Sequence, residues 1–143
     1  MDKKVIQRVV VGGVLINQNN KALILQRHND EDIYPGLWEL PSGKREFLEG
    51  TEEAVIRELK EEVGVDIIVI KPISVFDYVI EKSDEKRDST QINFLVKLKD
   101  SKQEIKISEE HQKAEWVGLD SIDKFNLTDS TKGVLRKAFE LLK

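Results

Sequence analysis

The segment from Thr51 to Val63 constrains the fold of this chain most, because it is predicted to be a helix with one apolar face and one acidic face. Thr51 is suited to cap the first free backbone N–H groups. Glu52 and Glu53 would lie favourably in the positive first turn. Gly64 suits the left-handed conformation that ends a helix. The sequence therefore predicts about three turns of helix at residues 51–63.

At about 100° per residue, this helix has an apolar arc and an acidic arc. The apolar arc, which suits packing on a core, consists of Val55, Ile56, Leu59 and Val63. Glu58, Glu61 and Glu62 form the acidic arc, with only Ala54 among them. Like charges at these spacings destabilise a helix by about 0.2–0.5 kcal/mol per pair. Two explanations follow: a solvated acidic face, or a divalent cation such as Mg²⁺ or Mn²⁺ held by converging carboxylates.

The spacing of residues around the helix resembles the Nudix box. Gly43 is followed after five residues by Glu49, and after seven more by the run RELKEEVGV at residues 57–65. Seven fixed residues at roughly 7% usage each recur by chance at on the order of 10⁻⁸ per starting position. The lead-in GLWELPSGK also resembles the GLWEFPGGK stretch of MutT-type members, with Ser42 in place of a glycine.

The order of the remaining patterns indicates an α/β fold. Strand patterns precede the helix at residues 5–16, 22–25 and 37–41, and others follow at 65–70, 73–80, 91–98 and 114–117. Pro72 marks a bulge or an edge, and residues 81–88 are expected to be a solvated hairpin tip. A C-terminal helix is predicted to open at Thr128-Asp129. This order predicts one domain over residues 1–143 with a mixed β-sheet between helices, and the resemblance implies the Nudix α/β/α sandwich.

The resemblance also implies which residues hold metal ions. The corresponding ligands here are the backbone carbonyl of Gly43 and the side chains of Glu58, Glu61 and Glu62. Ions such as Mg²⁺ or Mn²⁺ neutralise phosphate charge and lower the pKa of bound water. Arg57, as a catalytic candidate, is expected to orient the carboxylates by ion pairing. Glu49 is expected to brace the loop against Arg57.

The box leaves the water-activating base open between Glu58 and a glutamate from a later loop. The run SEEH at residues 108–111 resembles the segment where MutT-like members place that late acidic residue. Of its two glutamates, Glu110 is favoured over Glu109. His111 is expected to lie on the surface, with a phosphate contact as the alternative.

Four side chains are candidates for substrate contacts, and each has a structural alternative. Arg27 and Lys44 would bind phosphates or remain exposed cations. Trp38 would lie beside the substrate or in the core. Asp129, with Asn126, would read the base by analogy with MutT-like enzymes, but for Asp129 a place at the helix start is favoured.

These features predict Mg²⁺-dependent hydrolysis of a pyrophosphate bond in a nucleoside diphosphate linked to another group. The favoured version is MutT-like hydrolysis of (d)NTPs to a nucleoside monophosphate and pyrophosphate. ADP-ribose or sugar-nucleotide hydrolases are disfavoured, because they usually carry a proline well downstream of the box and the last proline here is Pro72. Dinucleoside polyphosphate hydrolases usually place a tyrosine downstream, and Tyr78 is a candidate. A non-catalytic nucleotide-binding module is disfavoured because every box glutamate is present.

Composition excludes several other classes. The net charge of −4 argues against an extended nucleic-acid surface. No apolar run approaches the roughly 20 residues of a membrane helix, and the N-terminus lacks the features of a secretion signal. The absence of cysteines fits a cytoplasmic protein. The expected partner is a small nucleotide substrate, and the expected oligomeric state is a monomer or a homodimer. The preferred nucleotide or leaving group, and any preference for oxidised nucleotides, cannot be read from the residues.

Overall fold

The computed structural model describes residues 2–143. The strands are β1 (Lys4–Ile16), β2 (Ala22–Arg27), β3 (Trp38–Glu39), β4 (Ser42–Lys44), β5 (Ile67–Glu81), β6 (Glu85–Leu98) and β7 (His111–Val117). The helices are α1 (Thr51–Val63) and α2 (Asp129–Leu141). The sheet has the order β3-β2-β1-β6-β5, with β4 paired to β1 and β7 paired to β2. The predicted order of strands around two helices is confirmed.

β1 lies at the centre of the sheet and has partners along both edges. Along one edge it pairs parallel with β6, in an unbroken register from Lys4 opposite Glu85 to Ile16 opposite Lys97. Along the other edge it pairs antiparallel with β4 and with β2. The parallel pair joins two antiparallel hairpins, so the sheet is mixed, as predicted.

Each face of the sheet is buried under one helix. Along β1, Val11 and Leu15 pack in the cluster that contains the apolar residues of α1, whereas Val14 and Ile16 pack in the cluster that contains those of α2. In β2, residues 22–25 are at most 1% exposed, so this strand is covered on both faces. Burial of each large aliphatic side chain contributes roughly 1.5–3 kcal/mol. The two cores hold α1 and α2 on opposite faces and form the α/β/α sandwich.

The helix α1 has the predicted bounds, but its N-terminal cap differs from the prediction. Gly64 adopts a φ of 71°, and its N–H donates to the carbonyl of Lys60 at 3.0 Å. Thr51 does not cap the helix, because the chain turns one residue earlier. Gly50 is the capping residue, in an extended conformation with no side-chain cap, and its carbonyl accepts from the N–H of Ala54 at 2.9 Å.

The buried face of α1 is rotated relative to the predicted apolar arc. Ile56, expected in the core, is 40% exposed, whereas Ala54 is fully buried. Glu58 and Glu62 are only 9% and 3% exposed. Glu62 projects within about 20° of Val55 at 100° per residue, so it lies in the middle of the buried face. A solvated acidic face is therefore the wrong explanation for two of the three glutamates.

The strands after α1 are longer than predicted. β5 and β6 form a hairpin whose tip is short, with the N–H of Lys82 donating to the carbonyl of Glu85 at 2.8 Å. Residues 85–88, expected in a solvated tip, belong to β6 and pair with both neighbouring strands. The pairing register shifts on both sides of Pro72, and β5 is an edge strand, which confirms the predicted bulge.

The C-terminal helix begins as predicted. The Thr128 hydroxyl accepts from the N–H of Thr131 at 3.1 Å, and Asp129 is the first helical residue. The buried residues of α2 are all apolar: Val134, Leu135, Ala138 and Phe139. Leu141, in the last turn of α2, is 40% exposed. Neither α1 nor α2, nor any other helix within residues 2–143, is long and apolar enough to cross a membrane.

Candidate functional site

Gly43 lies where the main chain of β4 meets the carboxylate of Glu58. β4 pairs with β1 so that Gly43 is opposite Val11, and α1 packs beside this pair. A Cβ atom on Gly43 would overlap the carboxylate of Glu58. No side chain fits at position 43 while Glu58 keeps this position. The first glycine of the motif is therefore required by close approach, and its peptide lies directly beside a carboxylate.

Arg57 joins three carboxylates to the loop before α1. Its Nε and Nη2 donate to the two carboxylate oxygens of Glu49 at 2.7 and 2.9 Å, a bidentate pair. Its Nη1 donates to Glu58 at 2.9 Å and to Glu61 at 3.3 Å, and Nη2 also donates to the carbonyl of Lys44 at 3.1 Å. The hydrogen bond from Arg57 lowers the pKa of Glu49 to about 2. Arg57 thus fixes the acidic groups relative to β4, and Glu61 remains on the exposed flank.

Glu62 is the most buried acidic group of the site. Its Oε1 accepts from the N–H of Ser42 at 2.7 Å, and its Oε2 lies 3.7 Å from His111 Nδ1. Burial, reinforced by the charges of Glu110 and Glu58, raises the pKa of Glu62 to about 9 despite the Ser42 hydrogen bond. Burial also raises the pKa of Glu58, against the opposing effect of Arg57. A cation beside Glu62 would stabilise the charged form that burial disfavours.

His111 is buried, so its expected surface position is wrong. It is 5% exposed because β7 begins at this residue, opposite Arg27 of β2, rather than at the predicted Ala114. His111 Nε2 lies 2.7 Å from Glu39 Oε2. Its Nδ1 is buried and has no hydrogen-bond partner among the described residues. Neighbouring residues did not indicate that His111 would be buried beside Glu39, since this contact depends on the pairing of distant strands.

The late loop brings a second carboxylate to the buried one. Glu110 is exposed, and one ligand atom from each of Glu62, Glu110 and His111 lies within 4.8 Å of the others. The neighbouring Glu109 contacts the protein through its carbonyl, which lies 2.7 Å from His28 Nε2. The structure therefore places Glu110, and not Glu109, beside the buried carboxylate of α1.

These donors fit a divalent cation. Carboxylate oxygens from Glu58, Glu62 and Glu110 and the main chain of Gly43 are the ligand types that hard cations prefer. The buried, unpartnered Nδ1 of His111 adds a donor that manganese and other transition metals accept. Because a Cβ atom at position 43 would overlap the carboxylate of Glu58, the glycine keeps the main chain of β4 close to this acidic group.

A cavity of about 560 Å³ opens beside this cluster. On the side of β4 and β7 it is lined by Gly43, Glu62, Glu110 and His111. On the side of β5 and β6 it is lined by Phe76, Tyr78, Ile80, Arg87 and Gln91, with Arg8 from β1. This volume suits a small organic ligand, whose acidic end would meet the carboxylate cluster through a cation.

Arg27 is the only one of the four predicted substrate residues that lines this cavity with its own side chain among the described residues. Its Nε donates to the carbonyl of Ile33 at 3.1 Å, and its guanidinium lies 3.6 Å from both Glu31 and Glu39. Lys44 lies beside a second depression of about 310 Å³, which shares Arg8 and Arg87 with the first cavity.

Trp38 and Asp129 occupy structural positions. Trp38 is 9% exposed in the core under α2, and its ring meets that of Phe125 edge-on, with centroids 5.0 Å apart. The backbone N–H of Trp38 donates to the carbonyl of Asn126 at 2.9 Å. Asp129 is exposed in the first turn of α2, where a negative charge is favourable. The core and helix-start alternatives therefore account for these two residues.

Comparisons with known proteins agree with the fold and the motif. The Nudix domain family matches residues 6–138. Nucleoside triphosphatase NudI of Enterobacter sp. (strain 638) is 30% identical over 132 residues, covering 88% of this chain and 92% of the relative. NudI of Escherichia coli (strain SE11) is 29% identical over 127 residues, covering 85% of this chain and 90% of the relative.

Solved structures show the same fold. The MutT protein of Methanosarcina mazei Go1 superposes with a TM-score of 0.75 at 23% identity, over 100% of this chain and 99% of that one. A MutT Nudix hydrolase from Burkholderia pseudomallei gives a TM-score of 0.75 at 26% identity, over 92% and 98% of the two chains. With the box residues folded around one acidic cluster, this chain belongs to the Nudix hydrolase family.

Proposed function

We propose that the protein hydrolyses nucleoside triphosphates to nucleoside monophosphates and pyrophosphate, with Mg²⁺ or Mn²⁺ as its cation. The observation that carries this proposal is the buried pair Glu58 and Glu62, which meets Glu110 at one end of a cavity large enough for a nucleotide. The relatives named nucleoside triphosphatases support the choice of substrate.

The proposed cation ligands are the carbonyl of Gly43 and the carboxylates of Glu58 and Glu62, with Glu61 reaching in from the flank. His111 completes the set, and one carboxylate oxygen of Glu110 in the opposite loop lies within 4.8 Å of it. A divalent cation bound here would neutralise phosphate charge and promote the ionisation of water. Arg57 holds Glu58 and Glu61 in place through its Nη1 and so acts as a positioning residue.

We assign water activation to Glu110 rather than to Glu58. The carboxylate of Glu58 accepts a hydrogen bond from Arg57 at 2.9 Å, so one of its oxygens is already engaged within the protein. Glu110 is exposed and lines the cavity. In the reaction, the oxygen of water bonds to phosphorus, the bond between the α- and β-phosphates breaks, and one proton of the water passes to Glu110.

The remaining candidates keep narrower roles in this proposal. Arg27 lines the cavity, where its guanidinium would meet a phosphate. Its ion pairs with Glu31 and Glu39 are long, at 3.6 Å, so a phosphate would compete with them. Lys44 contributes its carbonyl to Arg57, Trp38 packs in the core, and Asp129 opens α2.

The test is a nucleotide panel with analysis of the phosphate products. Purified protein is incubated with the eight common NTPs and dNTPs, ADP-ribose and a dinucleoside tetraphosphate, in Mg²⁺ and in Mn²⁺. We expect turnover of triphosphates with release of pyrophosphate. Release of orthophosphate from triphosphates would contradict the bond assignment. Turnover of only ADP-ribose or the dinucleotide would replace the substrate assignment, and no turnover of any compound would refute the activity.

A further inference from the structure

The floor of the cavity away from the carboxylates is built from aligned rows of side chains on three strands. Arg8 of β1 is opposite Ser89 of β6, and Ser89 is opposite Tyr78 of β5. In the next row, Gln91 lies between Val10 and Phe76. Aligned residues on neighbouring strands point to the same face of a sheet. These rows therefore present one guanidinium and two aromatic rings to the same part of the cavity.

Arg8 is the unusual member of this surface. Its Nε is buried and has no hydrogen-bond partner within the described part of the chain, as is also true of the Ser89 Oγ in the same row. No carboxylate of the described residues forms an ion pair with the Arg8 guanidinium. The other two arginines of the lining are occupied: Arg87 donates to Glu85 at 2.9 Å, and Arg27 donates to a backbone carbonyl. A buried donor without an acceptor is costly, so a ligand that supplies one would bind favourably there.

Arg8 is well separated from the proposed cation ligands. Gly43 is opposite Val11, and Arg8 precedes Val11 by three residues, or about 10 Å along the strand. A triphosphate held at the carboxylate end would therefore extend its nucleoside towards Arg8. The rings of Phe76 and Tyr78, with centroids 5.8 Å apart, lie on the edge strand at this end of the cavity. Aromatic faces are favourable partners for a planar base.

We propose that Arg8 reads the base of the substrate and selects bases with an oxo group at C6 of a purine or C4 of a pyrimidine, namely guanine, hypoxanthine, uracil or thymine. Arginine has five N–H donors and no acceptor, so it complements a carbonyl oxygen. Adenine and cytosine present an amino donor at that position, which offers the arginine no acceptor there. Tyr78 and Gln91 are joined by a hydrogen bond of 3.1 Å, which fixes the neighbouring wall. The inference rests on the proposed function for the identity of the substrate.

The sharpest comparison is between bases that differ mainly in this group. We expect the ratio of kcat/KM for ITP to that for ATP, and the ratio for UTP to that for CTP, each to be about 10 or more. This is the discrimination typical of one bidentate arginine contact. Arg8→Met keeps a long apolar stem but removes the donors, and it should bring both ratios to within about threefold of unity. Arg136→Met, which removes a surface arginine paired with Asp123, is the matched control and should leave both ratios unchanged.

Two further measurements separate the alternatives. If Arg8 instead holds a phosphate, Arg8→Met would weaken all nucleotides equally and Arg8→Lys would restore them, which would overturn base reading. The binding of IMP and AMP, measured by calorimetry, needs neither turnover nor a variant. Equal affinity of the wild-type protein for IMP and AMP would overturn the inference even if triphosphates are hydrolysed. A preference for IMP in a protein without hydrolysis would refute the proposed activity and leave the inference standing.

Discussion

The two helices have the same length, 13 residues each, and cover opposite faces of one sheet, yet they bury different chemistry. The buried residues of α2 are all apolar. In contrast, α1 buries Glu58 and Glu62 beside Ala54, Val55, Leu59 and Val63. A buried carboxylate costs stability unless it is paired or bound to a metal. The comparison indicates that the buried face of α2 serves the fold alone, whereas α1 gives up some stability to present its acidic groups.

The largest expected effect is the loss of activity when the most buried carboxylate of α1 is neutralised. Glu62→Gln preserves shape and can still accept the hydrogen bond from the N–H of Ser42, but an amide cannot supply negative charge to a cation. We expect kcat/KM to fall by about 10²-fold or more, since even residues behind metal ligands cost about 10- to 100-fold. Steady-state kinetics over a range of Mg²⁺ concentrations measure this.

The matched control lies on the other helix. Glu140→Gln removes an exposed glutamate of α2 that pairs only with Lys143 among the described residues, and its kinetics should equal those of the wild type. Activity of the Glu62→Gln variant within twofold of wild type would remove Glu62 from the proposed cation ligands. It would also remove the functional explanation for the difference between the helices.

The second prediction changes a residue of α2 and concerns the stability of the protein instead of its activity. Leu135 of α2 is fully buried, and Leu135→Ala should lower the free energy of unfolding by about 2–5 kcal/mol, through lost burial and the cavity left behind. The folded fraction should keep a wild-type KM, because Leu135 lies in the core cluster away from the carboxylates. Urea unfolding and active-fraction kinetics check the two parts.

A changed Mg²⁺ dependence in Leu135→Ala would show that α2 also shapes the site and would weaken the contrast between the helices. A suitable internal comparison is Leu141→Ala on the same helix. Leu141 is 40% exposed, so its truncation should cost much less stability.

The sequence was sufficient to predict what depends on local spacing. The bounds of α1, the left-handed stop at Gly64 and the start of α2 at Thr128 each follow from a few neighbouring residues, and the structure confirms them. The face that α1 buries was not predictable in the same way. It depends on the pairing of β4 with β1, which brings Gly43 beside Glu58 and so turns the acidic arc inward.

Residues far apart in the chain set the rest of the site. His111 is buried because β7 pairs with β2 and begins earlier than its hydrophobic pattern suggests. Arg8 carries no motif, and only the alignment of three strands places it in one row with Tyr78. Side chains of this kind become candidates only when strand register is known, since neighbouring sequence carries no information about a partner strand.

The smallest expected effect is a pH dependence of stability in the metal-free protein. Burial raises the pKa of Glu62 to about 9 from its usual 4.5, so the folded state binds more protons than the unfolded state between these values. The stability that this group contributes is fully present below about pH 4.5 and is lost as the pH rises towards 9. We therefore expect the unfolding free energy in EDTA to fall between pH 6 and 8.5, with a slope of at most about 1.4 kcal/mol per pH unit.

Glu62→Gln cannot titrate, so its stability should exceed that of the wild type by a margin that grows with pH. Glu140→Gln on α2 should keep the full wild-type slope, because its carboxylate is exposed. Saturating Mg²⁺ should flatten the slope in the wild type, since a cation binds the charged carboxylate and displaces its proton. Parallel slopes for wild type and Glu62→Gln in EDTA would mean that Glu62 titrates normally. The acidic residues of α1 would then lower the free energy of unfolding no more than those of α2 do. The two helices would differ only in where their acidic residues lie.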